Sequence, residues 1–432
     1  MGILFFTFRL CEFIFFGGLH SAAFSLRVLV RLLSRRGPTT ARLLGETICD
    51  LFESLGATFV KVGQVMSSRP DIFSEAVTGP LKRLQDQVAP FDTRKIPALL
   101  FEALGRPMNV LFAEFDLKPL SAASVAHVHR ARLKDGREVA VKIRRPGQLR
   151  RVRYDLLVLK LFARLLDLLP GMYLISLPQM VDEFTRNICR QLDFRIEADN
   201  NRRFRKNFAG KTAVKFPALV EEYCTESTLV MEYLGGLQKI GHVTLPQEER
   251  QKAARTALSA LYQMCFSDGF IHADMHPGNV FVRGGGEFVI LDLGLTTELG
   301  PDDFKSFLEF FFAMITNNGK SCAKIIFETS PFRRKGAVYG QFEAEMTKLI
   351  AKYFSTTSGE FEVSGYTTEL FALQRRHGIQ NRAGFATTII ALIVFEGITK
   401  ALDPELDFQG EGRKYFAEAL GRRSQVQVAA RK

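Results

Sequence analysis

The stretch GFIHADMHPGNVFVRGGGEFVILDLGL, residues 269–295, decides how the rest of the chain is read. It places a carboxylate at Asp274, an amide at Asn279 five residues on, and a second carboxylate at Asp292 thirteen residues after that. A carboxylate and an amide oxygen suit a hard divalent cation such as Mg2+, which is usually held by one or two protein carboxylates together with phosphates. The remaining carboxylate is then free to work beside a transferred phosphoryl group. The apolar runs on either side of Gly284–Gly286 read as a β-hairpin with a glycine turn, not as a phosphate cradle. His272 and His276 have zinc spacing, but Pro277 and Gly278 make the segment a loop and no third ligand is near.

Upstream, Arg137–Ile143 (REVAVKI) alternates as a strand, with Val139, Val141 and Ile143 on one face and Ala140 and Lys142 on the other. A strand lysine can reach the α- and β-phosphate oxygens of ATP. VAVK, then D-x-x-x-x-N, then D-x-G, in that order and each after the secondary structure it needs, is the arrangement of protein kinases. The fold class expected is α+β: a protein-kinase-like two-lobe fold with a small β-rich N-lobe and a large helical C-lobe. Before the β-rich part, helical patterning from Thr39 to about Gly105 forms an N-terminal helical extension. The domains expected are an apolar, basic segment at 1–36, the extension at 37–108, the N-lobe with inserted helices at 109–236, and the C-lobe at 237–432.

Composition narrows the partners. The 432 residues carry 58 Lys and Arg against 46 Asp and Glu, a formal charge of +12, which favours anionic partners. No recognition motif supports nucleic acid, so none is expected. The basic cluster Arg150-Arg-Val-Arg153 reads as a solvated helix face that can also meet anionic lipid. Six cysteines without a C-x-x-C pair read as buried, reduced thiols. In residues 1–36, Arg9 and Glu12 interrupt the apolar run, leaving about 14 uncharged residues (13–26), short of the ~20 that a spanning helix needs. Arg27, Arg31 and Arg35 then recur at i, i+4 and i+8. Together these features predict an interfacial anchor on anionic membrane. The apolar run at 383–397 ends in Glu396 and reads as a buried helix of the helical lobe.

Four segments make the likeness more specific. Lys61-Val-Gly-Gln64, within TFVKVGQVMSSRPDIF, resembles a K-x-G-Q motif. Ser121-Ala-Ala-Ser124 resembles an alanine-rich loop that replaces the glycine-rich phosphate loop. Gln191-Leu-Asp193-Phe-Arg-Ile-Glu197-Ala-Asp-Asn200 resembles E-L-D-x-x-x-E-A-x-N, and the fourth segment is D-x-H-P-G-N with its D-x-G. On these, the chain resembles the AarF/UbiB family of atypical kinase-like proteins associated with isoprenoid-quinone biology, over roughly residues 45–300 and into the remaining helices. It departs from the family at Gln191, where the family has glutamate, and at Ser121, where the family has alanine.

The resemblance implies roles for single residues. Lys142 contacts the phosphates of ATP and pairs with Glu197; Asn279 and Asp292 bind Mg2+; Asp274 is the catalytic base or water-orienter. Ser121, Ala122, Ala123 and Ser124 line the nucleotide, and Lys61 and Gln64 sit over the pocket. With Gln191 neutral, the counter-charge of Lys61 falls to Asp193 or to the phosphates. The function expected is an atypical kinase-like ATPase at a membrane, supporting ubiquinone or related isoprenoid lipid metabolism. Its expected partners are anionic or isoprenoid lipids and quinone-biosynthesis proteins. The place expected is the cytoplasmic face of a bacterial inner membrane or, alternatively, a mitochondrion. The rival readings are a pseudokinase scaffold gated by nucleotide and a protein or small-molecule kinase.

Overall fold

The computed structural model of the chain describes residues 2–34, 38–67, 69, 72–84, 91–122, 125–168, 177–276, 278–334, 336–354, 362–408, 410–412 and 415. It consists of two compact units, Met1–Ala198 with Ala218–Tyr233, and Asp199–Pro217 with Leu234–Lys432. This differs from the four-part division expected from the sequence. The apolar segment, the extension and most of the β-rich lobe share one unit, and 199–217 belongs with the helical one.

In chain order the first unit holds α1 (Gly2–Ser34), α2 (Thr40–Leu55), α3 (Ala57–Ser67), α4 (Glu75–Leu81), α5 (Ile96–Leu104) and α6 (Met108–Leu111). Strands β1 (Phe112–Phe115), β2 (Ser121–Ala122), β3 (Ala126–Leu133) and β4 (Glu138–Arg144) follow, then α7 (Gln148–Asp167) and α8 (Leu177–Gln191). Helix α9 (Phe194–Asn207) begins in the first unit and continues into the second, which also takes β5 (Val214–Lys215); β6 (Thr228–Glu232) returns to the first. The sheet runs β1-β3-β4-β6, all antiparallel, with β2 added to β3. The period-2 pattern of β4 sets its faces. Val139, Val141 and Ile143 are buried against Ile96, Leu100 and Leu133, while the face that carries Lys142 packs Ala126, Leu229 and Met231 on Phe194 and Ala198 of α9.

The helical extension has its own core, in which Phe52, Phe59 and Val62 meet Leu156, Phe184 and Ile188. Helix α1 lies on it: Phe13 stacks near Phe59 and Phe162, with ring centroids 5.6 and 4.2 Å away. Two expectations for residues 1–36 change. Arg9 does not break the helix, because it is buried and satisfied by Asp155 at 2.5 Å, by Glu12 and by the Leu55 carbonyl at 3.0 Å. Leu4–Ser34 is therefore one apolar helix of 31 residues, long enough by length and composition to cross a bilayer, and the argument from a 14-residue run fails. The arginine stripe also faces protein: Arg27 meets Asp50 at 3.5 Å and Arg31 bonds Thr40 Oγ1. Arg35 lies outside the described residues. Cys11 and Cys189 are exposed, against the expectation of buried thiols, whereas Cys49, Cys265 and Cys322 are buried.

The second unit continues with β7 (Gln238–Lys239), α10 (Gln247–Tyr262), β8 (Phe270–His272), β9 (Val280–Arg283), β10 (Glu287–Ile290), β11 (Thr296–Glu298), α11 (Pro301–Ile315) and α12 (Gly319–Thr329). It ends with β12 (Phe332–Arg333), α13 (Tyr339–Phe354), α14 (Val363–His377), β13 (Ile379–Gln380) and α15 (Ala383–Leu402). Strands β9 and β10 form the expected hairpin, joined by the three residues Gly284–Gly286, with Gly285 and Gly286 at φ +79° and +74°, values that only glycine adopts readily. Alanines 253, 254, 257 and 260 are fully buried, which lets α15 approach α10 closely in a core otherwise rich in phenylalanine. Helix α15 is the buried lobe helix that its sequence predicts. Its buried Glu396 accepts the N–H groups of Val363 and Ser364 at 3.0 and 3.1 Å, capping the start of α14.

Candidate functional site

In the first unit, the register of β4 presents Lys142 to α9. Asp193 starts that helix by accepting the Arg195 N–H at 3.1 Å, and Glu197 follows in the first turn. Phe194 and Ala198, packed on the sheet, hold the turn in place. The result is a two-oxygen ion pair, Lys142 Nζ to Glu197 Oε1 and Oε2 at 2.9 and 2.8 Å, with side chains 12% and 5% exposed. The Phe194 ring lies 5.3 Å from the ammonium. The Asp193 carboxylate, one candidate counter-charge for Lys61, is gripped by the Arg195 guanidinium, whose hydrogen bonds hold it below the usual carboxylate range.

Ser121 and Ala122 form β2 and pair with Val128 and His127; Ala123 and Ser124 lie outside the described residues. Lys61 and Gln64 share a face of α3 one turn apart, and both are half-buried. Gly63 between them has a packing reason. A Cβ there meets Leu84 Cδ1 at 2.2 Å and Phe52 Cδ2 at 2.8 Å, so only glycine lets residue 84 approach. Gln64 Nε2 then donates to the Leu84 carbonyl at 3.3 Å.

In the second unit, the sequence around 269–295 folds back on itself. A π-helical turn, Gln263–Asp268, and Gly269 deliver the chain into β8, which pairs with β11. His272 is buried at the end of β8. Its Nε2 donates to the Asp292 carbonyl at 2.5 Å and its Nδ1 accepts the Asp274 N–H at 3.1 Å. Those two partners require the neutral ring with its proton on Nε2, and burial pushes its pKa down accordingly. Asn279 Nδ2 donates to the Asp274 carbonyl at 2.8 Å and lies 3.4 Å from its carboxylate; the Leu291 N–H reaches the Asn279 carbonyl at 3.0 Å. Asp292 Oδ1 accepts the Gly294 N–H at 2.9 Å. From the second-unit part of α9, the buried Asn200 donates to the Leu293 carbonyl at 2.8 Å, between the two ends of the D-L-G turn.

The structure thus brings Asp274, Asn279 and Asp292 together within the second unit, and Lys142 and Glu197 together within the first. His272 and Asn200, which tie the D-L-G turn in place, stand outside the set of site residues taken from the sequence. Among the described residues no cluster of three or more His, Cys, Asp or Glu forms a metal cage. The donor set still fits Mg2+: the Asn279 amide nitrogen is spent on Asp274, leaving its carbonyl oxygen. Asp292 adds a carboxylate, one oxygen of which accepts the Gly294 N–H. One amide oxygen and one carboxylate, completed by phosphates and water, is ordinary for nucleotide-borne magnesium.

Comparison with known proteins identifies the family of the chain. Residues 83–326 match the ABC1 atypical kinase-like domain. A protein of Pseudomonas fluorescens named probable protein kinase UbiB is 30% identical over 373 residues, covering 84% of this chain and 69% of its own. One of the same name from Vibrio cholerae is 30% identical over 392 residues, covering 88% and 72%. Rv3197 of Mycobacterium tuberculosis, solved in complex with erythromycin, has a similar fold, with a TM-score of 0.57 and 24% identity over 79% of this chain and 88% of that one. With its lysine–glutamate pair, its D-x-H-P-G-N and D-L-G turns and its K-x-G-Q helix, the chain belongs to the AarF/UbiB family of ABC1 atypical kinase-like proteins.

Proposed function

We propose that the chain is a membrane-associated atypical kinase-like ATPase that binds Mg-ATP and supports ubiquinone or related isoprenoid-lipid metabolism. The observation that carries the nucleotide reading is the buried Lys142–Glu197 pair. A lysine held by both oxygens of a carboxylate has its ammonium aimed and its rotamers frozen, which is what binding of the α- and β-phosphates requires. Within the second unit, Asp274, Asn279 and Asp292 form a separate group with the chemistry for metal binding and proton transfer. Magnesium, when bound, neutralises phosphate charge, and the Asn279 and Asp292 oxygens are the groups suited to hold it. Asp274 is kept in place through its own backbone by His272 and Asn279, so its carboxylate is oriented to take a proton from an attacking hydroxyl or water. The link to quinone metabolism is supported by the family and by the UbiB name of the relatives; lipids and quinone-biosynthesis proteins as partners, at the cytoplasmic face of a membrane, are part of the same proposal.

The test is Mg-ATP binding and turnover by the purified full-length protein. Asp292→Asn is expected to weaken Mg-ATP binding at least about tenfold, roughly 1.4 kcal/mol. Unchanged thermal stabilisation by Mg-ATP in the folded variant overturns the assignment of the site. A peptide-phosphorylation assay run alongside separates ATPase from protein kinase.

A further inference from the structure

The charges of α1 lie on its inner side or at the border of its outward arc, where Glu12, 31% exposed, pairs with Arg9. Arg9, His20, Arg27 and Arg31 all turn to the body of the unit, onto Asp155, Ser54, Asp50 and Thr40. At about 100° per residue these four share one arc of the helix. The opposite arc holds Leu4, Phe8, Phe15, Leu19, Leu26 and Leu33, each between 56 and 77% exposed. Beside it runs α7, whose solvent-facing arc carries Leu157, Leu161, Leu165 and Leu168 at i, i+4, i+8 and i+11, with exposures of 46, 39, 50 and 80%. The two helices touch: the Phe13 and Phe162 rings are 4.2 Å apart, and the Arg150 guanidinium lies 5.3 Å from the Phe5 ring. Arg150, Arg153 and Arg164 share the leucine arc of α7, whereas the acids of that helix, Asp155 and Asp167, lie off it.

We propose that α1 and the leucine ridge of α7 form one surface that rests on an anionic lipid bilayer, with α1 lying along the interface and not across it. This deepens the membrane part of the proposed function and rests on it. The apolar strip of α1 is about 50 Å long, against the ~30 Å of a hydrocarbon core, and its other side is fastened to protein along its length. Crossing the bilayer requires breaking the buried Arg9–Asp155 pair and exposing both charges to hydrocarbon. Leucines bordered by arginines match an interface whose acyl region takes the apolar side chains and whose phosphates take the guanidiniums. A second copy of the chain is the poorer occupant, since each copy brings a charge of +12 and arginines to the same face.

The chain contains no tryptophan, so Leu161→Trp gives a single reporter on the ridge. In the full-length protein its emission is expected to shift to the blue and to be quenched by brominated acyl chains in phosphatidylcholine vesicles with about 30% phosphatidylglycerol, and to shift less with phosphatidylcholine alone. Leu161→Glu with Leu165→Glu, and separately Phe15→Glu with Leu19→Glu, are each expected to lower vesicle partition by roughly tenfold or more. Their thermal stabilisation by Mg-ATP shows that the site and the fold are intact. Wild-type protein that binds neither vesicle overturns the membrane reading as a whole. Wild-type binding matched by the α7 double variant overturns the ridge alone. A lipid-free blue shift that grows with protein concentration assigns the face to a second copy and overturns the proposal.

Discussion

Lys142 and Glu197 are worth more to each other than either is alone. Replacing the lysine by methionine leaves a carboxylate in a site 5% open to water, at a cost of about 3 kcal/mol. Lys142→Met is therefore expected to lower the melting temperature and abolish ATP binding. Lys142→Met with Glu197→Leu should recover much of the melting temperature but none of the binding, a split that calorimetry and nucleotide titration read separately. His127 is one of the buried histidines, with His129 and His272, that make stability depend on pH. It is buried in β3, stacks on Phe91 at 3.9 Å and accepts the Phe91 N–H at Nε2, which only an unprotonated nitrogen can do. Burial, with Arg145 and His129 adding to it, pushes its pKa from 6.5 to about 4. The unfolded chain takes up this proton near pH 6.5 and the folded chain only near 4, so the contribution is complete above pH 6.5 and is lost as the pH falls from there through about 4. A loss on the order of 2 kcal/mol over that window is expected. His127→Gln, which keeps an acceptor, should lessen the fall in melting temperature between pH 6.5 and 4, leaving the part that His129 and His272 contribute. The pairing of Lys142 with Glu197 and the grouping of Asp274 with Asn279 were legible in the sequence because their spacing is tied to the loops and strand they sit on. Asn200 was only a letter in a motif: nothing in a helical asparagine reveals that it holds a carbonyl 93 residues away.

Among the elements, α3 shows a motif whose glycine does mechanical work. Adding a methyl group at Gly63 drives it into the side chains of Leu84 and Phe52, which must repack within the core of the first unit. Gly63→Ala is expected to destabilise the first unit by roughly 1–3 kcal/mol despite the better helix propensity of alanine. A melting temperature unchanged or raised in Gly63→Ala contradicts that packing role. Helix α1 is where reading along the chain fell short. Arg9 and Glu12 look like interruptions until Asp155, 146 residues away, is seen to neutralise the arginine inside the unit. The arginine periodicity was visible, but a helical wheel cannot say which arc faces protein, and Asp50 and Thr40 decided that. The strands around Lys142 were legible for the opposite reason: alternation over Val139, Val141 and Ile143 is a local signal, and the buried face follows from it directly.

For the whole molecule, each unit buries its own core, one around Phe52, Phe59 and Phe184, the other around α10 and α15. Scanning calorimetry is expected to resolve more than one transition, with Gly63→Ala moving that of the first unit and leaving that of the second in place. A single transition displaced as a block by Gly63→Ala shows that the units melt as one. The division itself was only partly readable, because α9 runs on from one unit into the other with no proline, glycine or change of composition at Ala198. Glu396 bears on a different stage in the life of the chain. Ala383–Leu402 has the length and hydropathy of a segment that a translocation channel releases sideways into lipid. A carboxylate near the end of that run makes insertion costly, and the same carboxylate becomes an asset once it meets the amides of Val363 and Ser364. A single carboxylate thus raises the cost of lipid for the unfolded segment and caps a helix in the finished lobe.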